Sequence, residues 1–255
     1  TPPPQPANPK PSVFRPPRAQ AMINRQGFNT KGVDHLVKQV KKHRFKGVLG
    51  INIGKNFDTP IEQAVDDYLL CLEKVYAYAD YITVNISSPN TENLRDLQGE
   101  SELDALLGAL SQRRNELADE IDRCVPMALK VAPDLDDAAV VTIADIVSHH
   151  RMDAVIATNT TIERTGVEGM EHSDEAGGLS GAPLKPLADR TLAALREALP
   201  KEIALIGVGG ITCGQDAVDK LDLGADLVQF YTGMVYRGPE LVSECLQAIA
   251  ERKGG

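Results

Sequence analysis

Six short apolar runs, separated by longer stretches of helical character, constrain this chain more than any other feature. They cover residues 48–53 (VLGINI), 81–86 (YITVNI), 127–131 (MALKV), 154–158 (AVIAT), 204–208 (ALIGV) and 227–231 (LVQFY). Each is too short for a helix, rich in β-branched residues and bounded by turn-formers, so each predicts a strand. Between them, 32–46 places Val33, Leu36, Val37 and Val40 on one helical face. Further helices are expected over 61–79, 103–123, 138–150, 186–199, 215–224 and 239–253. Strands alternating with helices make βαβ units and a parallel sheet. Strands this apolar are expected to be buried on both faces.

Two architectures fit that alternation: an open doubly wound sheet and a (β/α)8 barrel. No strand is followed by the G-x-G-x-x-G of a dinucleotide-binding fold. Polar residues instead sit at or just past the C-terminal end of almost every strand, where barrel enzymes build one shared site. That favours the barrel, with only about six of its βα units in this chain. Residues 1–255 then form one barrel domain, led in by a Pro-rich loop over 1–17. That loop carries eight prolines and holds at most a short strand at 12–15.

The strand ends are rich in amides. Asn24, Asn52, Asn85, Asn90 and Asn159 converge on one rim if the barrel is correct. An Asn side chain both donates and accepts, which suits a planar amide-and-imide ring. Any one Asn alone would be turn chemistry; five at strand ends are not all explained that way. The rim has no paired acids for glycoside hydrolysis and no divalent-metal site. Lys130 lies inside an otherwise apolar strand. An unpaired buried ammonium is costly, so an anion should meet it: a reduced flavin, negative at N1, or a phosphate. The glycine-rich ends 207–210 and 231–233 follow the last two strands, where barrels place a phosphate on backbone N–H groups. The segment 177–181 (GGLSG) is expected to close over the same group.

A net charge of −9 argues against nucleic acid, which needs a basic face, and offers no basic patch for anionic lipid. The cysteines Cys71, Cys124, Cys213 and Cys245 form no C-x-x-C pair, which fits a reduced, intracellular setting. The five histidines lack metal-ligand spacing. His149 and His150 read as a solvated helix end with side chains pointing apart. No apolar run reaches the 18 residues that a membrane span would need.

Eight segments together resemble the class 2 (quinone-linked) dihydroorotate dehydrogenases, across the whole chain. They are INRQGFN (23–29), GINIGKN (50–56), VNISSPNT (84–91), KVAPDL (130–135), VIATNTT (155–161), GGLSG (177–181), IGVGGI (206–211) and QFYTG (229–233). The resemblance implies an FMN-type TIM barrel that oxidises (S)-dihydroorotate to orotate with a quinone acceptor, in de novo pyrimidine (UMP) synthesis. It implies FMN contacts from Asn52, Asn85, Lys130, Thr158, Gly181, Gly210, Tyr231 and Thr232, the phosphate falling to the last three. It implies substrate contacts from Asn24, Arg25, Gln26, Gly27, Phe28, Asn85, Asn90, Asn159 and Thr160. Ser88 would be the catalytic base, in a loop 87–101 that acts as a lid. Class 1 members are expected to carry Cys there, so Ser favours the quinone-linked class.

Members of that family carry upstream sequence that supplies the first two barrel strands and the helices that meet quinone and membrane. Here those are expected to be missing, leaving an open seam between the first and last strand. Quinone and membrane contact would then belong to the parent protein, peripheral on the cytoplasmic side of a bacterial inner membrane. Two other readings stay open: another FMN barrel reductase acting on a dihydropyrimidine or dihydrouridine, and an inactive fragment that does not hold the cofactor.

Overall fold

The computed structural model describes residues 1–254. In chain order the elements are β1 (Val13–Phe14), β2 (Ala21–Asn24), α1 (Val33–Val40), β3 (Gly50–Ile53), α2 (Ala64–Val75), β4 (Tyr81–Asn85) and α3 (Glu100–Ile121). There follow β5 (Met127–Val131), α4 (Asp137–His149), β6 (Ala154–Ala157), β7 (Gly178–Gly181), α5 (Lys185–Ala198), β8 (Ala204–Val208), α6 (Gly214–Asp222), β9 (Leu227–Gln229), α7 (Thr232–Arg237) and α8 (Glu240–Gly254). All six predicted runs form strands. They pair in parallel in the order β3-β4-β5-β6-β8-β9, as the alternation requires. Among the described residues no strand pairs with the outer edges of β3 and β9, so the expected seam is present. Val48 and Leu227, beside those edges, are exposed. The architecture is that of a (β/α) barrel with six of its parallel strands.

The two faces of the curled sheet differ. Ile51, Ile53, Ile82, Val84, Met127, Leu129, Val131, Val155, Ala157 and Leu205 point outward and join one large core with the helices. Asn52, Thr83, Asn85, Lys130 and Gln229 line the inside with Gly50, Tyr81 and Ile156. The expectation of strands apolar on both faces is therefore wrong for the inner face. Successive strand residues point to opposite sides, and the inward set is largely polar because the barrel holds a site there.

A second, antiparallel sheet of order β1-β2-β7 sits apart from the first and was not expected beyond the short strand at 12–15. Ala21 faces Gly181 and Asn24 faces Gly178 across β2 and β7. Phe14, Ala21, Ile23, Leu179 and Val167 form its own small core. The proline-rich lead-in is ordered against this region: Gln5 exchanges backbone hydrogen bonds with Thr30, at 2.8 and 3.0 Å. Its side-chain amide meets the Gly27 carbonyl.

Several element bounds differ from expectation. The first strand begins at Gly50 and the last ends at Gln229. The first helix stops at Val40, before the cationic stretch 41–44. The helix expected over 239–253 forms as α8, and an additional short helix, α7, precedes it across Gly238, whose φ is +72°. His149 and His150 do not point apart. Their rings meet edge to face at 4.8 Å between centroids, and His150 Nε2 lies 2.7 Å from Asp104 Oδ1 between α3 and α4. These three side chains are the one His-and-carboxylate group with metal-ligand proximity among the described residues. They lie in the groove between two outer helices, and the Asp104 contact already satisfies His150.

Beneath the glycine-rich end of β8, Lys220 of α6 is fully buried with its Nζ 2.7 Å from Asp189 Oδ1 of α5. Burial lowers its pKa, and Asp189 works against that fall. Lys185 spans Asp189 at 2.8 Å and Asp219 at 2.9 Å, so α5 and α6 are tied by alternating charges. Removing one partner leaves the other ion buried and uncompensated. Asp189→Ala in the intact protein is therefore expected to cost about 3–5 kcal/mol of unfolding free energy. Urea denaturation would measure it, and an unchanged midpoint would refute the pair's role.

Candidate active site

Two cavities meet at Lys130. The first, of 190 Å³, lies at the C-terminal ends of β5, β6 and β8, under β7 and the turn into α7. Lys130, Thr158, Gly181, Gly210, Tyr231 and Thr232 all line it. The second, of 200 Å³, is the barrel interior and is lined by Asn52, Asn85 and Lys130. All eight residues predicted to hold a cofactor thus lie on two adjoining cavity walls.

Lys130 stands opposite Asn85 in the β4–β5 register and opposite Ile156 in the β5–β6 register. Its ammonium makes no ion pair and no hydrogen bond with another side chain among the described residues. Burial alone lowers its pKa. The residue is half-buried by surface and lines both cavities. A cation with no anion of its own, facing a cavity, fits an anionic ligand.

The floor of the first cavity is backbone. Gly209 and Gly210 have φ of +108° and +77°. A Cβ on Gly210 would overlap Lys185 at the start of α5, so the turn packs tightly and leaves its N–H groups bare of side chain. Gly181, at φ +97°, abuts the Gln20 carbonyl in the same way. Thr232 is buried, and its hydroxyl pairs at 2.8 Å with Ser180 Oγ. Ser180 lines the cavity too and was not singled out, though it lies inside the GGLSG segment. Tyr231 lines the cavity while remaining largely exposed.

The amides form a connected group at the top. Asn159 Nδ2 donates to Ser87 Oγ at 3.1 Å and to Asn85 Oδ1 at 3.4 Å. Asn85 Oδ1 also accepts from the Ser87 N–H and hydroxyl, at 3.2 and 3.1 Å. Asn90 Nδ2 donates to the Asn24 carbonyl at 3.0 Å and to Asn24 Oδ1 at 3.3 Å. Asn24, Asn159 and Thr160 line the first cavity. Ser88 is buried in the loop after β4, and its Oγ accepts the Asn90 N–H at 3.2 Å. Ser88 lines neither cavity. Thr91, three residues on, has a buried hydroxyl without a hydrogen-bond partner.

The segment 24–28 divides. Asn24 faces the cavity. Arg25 turns away: its guanidinium binds Glu175 at 2.7 Å and the Pro11 carbonyl at 2.9 Å, and lies over the Phe14 ring. Gln26 is exposed. Gly27, at φ +67°, lies against the Asn90 carbonyl, where a Cβ would sit 3.1 Å from the oxygen. Phe28 packs on Gly54 and lines a third cavity, with Asn52 and Cys71.

A barrel whose strand ends gather amides, a serine loop, a cation and a glycine floor is an α/β enzyme with one site at the C-terminal face. A sequence profile of the dihydroorotate dehydrogenase family matches residues 1–252. A dihydroorotate dehydrogenase (quinone) of Paraburkholderia phymatum is 58% identical over 248 residues, which are 97% of this chain and 72% of that protein. One from Burkholderia cenocepacia is 56% identical over 253 residues, covering 99% and 73%. A crystal structure of the Eimeria tenella DHODH in complex with ferulenol superposes with a TM-score of 0.91 at 35% identity, over 99% of this chain and 74% of that one. The chain belongs to the dihydroorotate dehydrogenase family, in its quinone-linked class.

Lys130 generates a pH prediction. Its folded pKa lies below the ordinary 10.5. Between that lowered value and 10.5 the unfolded chain binds more protons, so stability rises with pH in that window. In ligand-free protein, Lys130→Met should flatten this part of the slope. Denaturation midpoints across the alkaline range measure it, and parallel wild-type and variant curves would contradict it.

Proposed function

We propose that this chain carries the catalytic barrel of a dihydroorotate dehydrogenase, which oxidises (S)-dihydroorotate to orotate and passes the electrons to a quinone. The observation that carries the reading is the meeting of all eight expected cofactor residues on two cavities joined at Lys130, in a chain 58% identical to a dihydroorotate dehydrogenase (quinone). Residues 1–255 are read as one barrel domain. No observation favours a dihydropyrimidine or dihydrouridine reductase instead.

The cavity chemistry fits FMN. Gly210, Tyr231 and Thr232 would hold its phosphate on the backbone floor of the first cavity. Lys130 would meet the electron-rich edge of the ring, with Asn52, Asn85, Thr158 and Gly181 around it. When bound, FMN supplies the acceptor for the hydride from C6 of dihydroorotate. The protein supplies the rest. Asn24, Asn85, Asn90, Asn159 and Thr160 orient the ring by paired donors and acceptors. Of the segment 24–28, Asn24 carries this role, with Gly27 and Phe28 shaping the wall. Ser88 takes the proton from C5. Its buried setting excludes bulk water, and its hydroxyl, which accepts the Asn90 N–H, gives up its own proton to a water at the loop as it takes the one from C5.

We assign quinone contact, and peripheral attachment to the cytoplasmic face of a bacterial inner membrane, to the part of the relatives' length that this chain does not span. No helix among the described residues is long and apolar enough to cross a membrane.

The test is stopped-flow reduction of the flavin-loaded full-length protein by dihydroorotate. Ser88→Ala should keep its flavin and lose a factor of about 10² to 10⁴ in the reduction rate, the usual contribution of a general base. Reduction at the wild-type rate would remove Ser88 from the role.

A further inference from the structure

The loop after β4 carries Ser88, and at its other end the Arg95 guanidinium ties it to the loops after β5 and β6. Arg95 sits in the short 3-10 turn Leu94–Gln98, anchored by the buried Leu94 and Leu97. Its guanidinium donates in three directions: Nε to the Ser87 carbonyl at 3.2 Å, Nη1 to Asp134 Oδ2 at 2.8 Å, and Nη2 to the Thr160 carbonyl at 2.8 Å. These acceptors belong to the loops after β4, β5 and β6 respectively. The second Asp134 oxygen accepts the Thr161 hydroxyl, which closes the junction from the far side. Arg95 and Asp134 side chains are 21% and 16% exposed, so the junction is largely shielded from water.

Ser87 adjoins Ser88, and Thr160 adjoins Asn159. One rigid planar group therefore reinforces the direct Asn159–Ser87 hydrogen bond in setting the spacing between the serine loop and the amide that faces it. A guanidinium holds its donors in a fixed fork; a lysine offers one point charge. Arg95 lines neither cavity. We propose that Arg95 is a positioning residue that locks the Ser88 loop over the substrate-side amides, and so sets the rate of proton removal without touching substrate or flavin. This rests on the assignment of Ser88 above.

The two half-reactions separate this role from a merely structural one. In the full-length holoenzyme, Arg95→Ala and Arg95→Gln should keep their flavin and be reoxidised by quinone at the wild-type rate. Their flavin reduction by dihydroorotate should fall on the order of 10- to 100-fold, the scale of a misplaced reacting group. Arg95→Lys should recover part of the loss through Asp134. Asp134→Asn should act in the same direction, and the Arg95→Ala, Asp134→Asn double variant should be no slower than Arg95→Ala, because both remove one link. Reduction of Arg95→Ala at the wild-type rate overturns the proposal. So does a loss shared equally by both half-reactions, or flavin released from every variant. If Arg95→Ala does not fold, Arg95→Lys and Asp134→Asn decide by the same comparison. A wild-type holoenzyme that dihydroorotate does not reduce would instead overturn the functional reading, and this proposal with it.

Discussion

Period-two alternation in six parallel strands governs the rest of this molecule. Outward residues such as Ile51, Val84, Leu129 and Val155 are aliphatic and bury against the helices. That burial, at roughly 25 cal/mol per Å² of apolar surface, supplies the stability. Inward residues are thereby released from packing duty and can be Asn52, Thr83, Asn85 and Lys130. The cost of an unpaired ammonium inside the barrel is borne by the outer core. A shift of any strand by one residue would exchange the two sets.

The site above those strands is built from loops, and its order comes from polar cross-links. Asn159 reaches Asn85 and Ser87; Asn90 reaches Asn24; Arg95 gathers three loops. Each is a hydrogen bond in a partly water-free space, where a missing partner costs more than the bond itself contributes. The rim therefore holds one geometry. The glycine floor works differently: Gly210 and Gly181 fit because backbone and side chains of neighbouring elements occupy the space a Cβ would need.

The six parallel strands were legible because β-branched runs between turn-formers are a local signal, and the cavity residues followed from their strand-end positions. Lys130 was legible as a polar residue out of place. β2 and β7 were not. AMIN and GLSG are four residues long, carry glycine or amide, and become strands through long-range pairing with each other, with β1 on the far side of β2. The same limit hid α7, six residues behind a tyrosine-threonine turn. Arg95 was invisible for a stronger reason: its acceptors at Asp134 and Thr160 are 39 and 65 residues away, and no local pattern marks them. The direction of the Arg25 side chain was not legible either, because position in a motif does not fix where a long side chain points; Glu175 and Phe14 draw its guanidinium outward.

The pairing of β2 with β7 has a consequence in time. Ala21 meets Gly181, and the Ala21 carbonyl also accepts the Tyr236 hydroxyl at 2.7 Å. A ribosome adding ~5–20 residues per second needs on the order of ten seconds to make the chain from Ala21 to Gly181. Throughout that interval the strand bearing Asn24 has no partner in β7, while β3, β4 and β5 can already pair with one another. The substrate side of the site is thus among the last parts of the nascent chain to close. It does so beside a parallel sheet that still awaits β8 and β9.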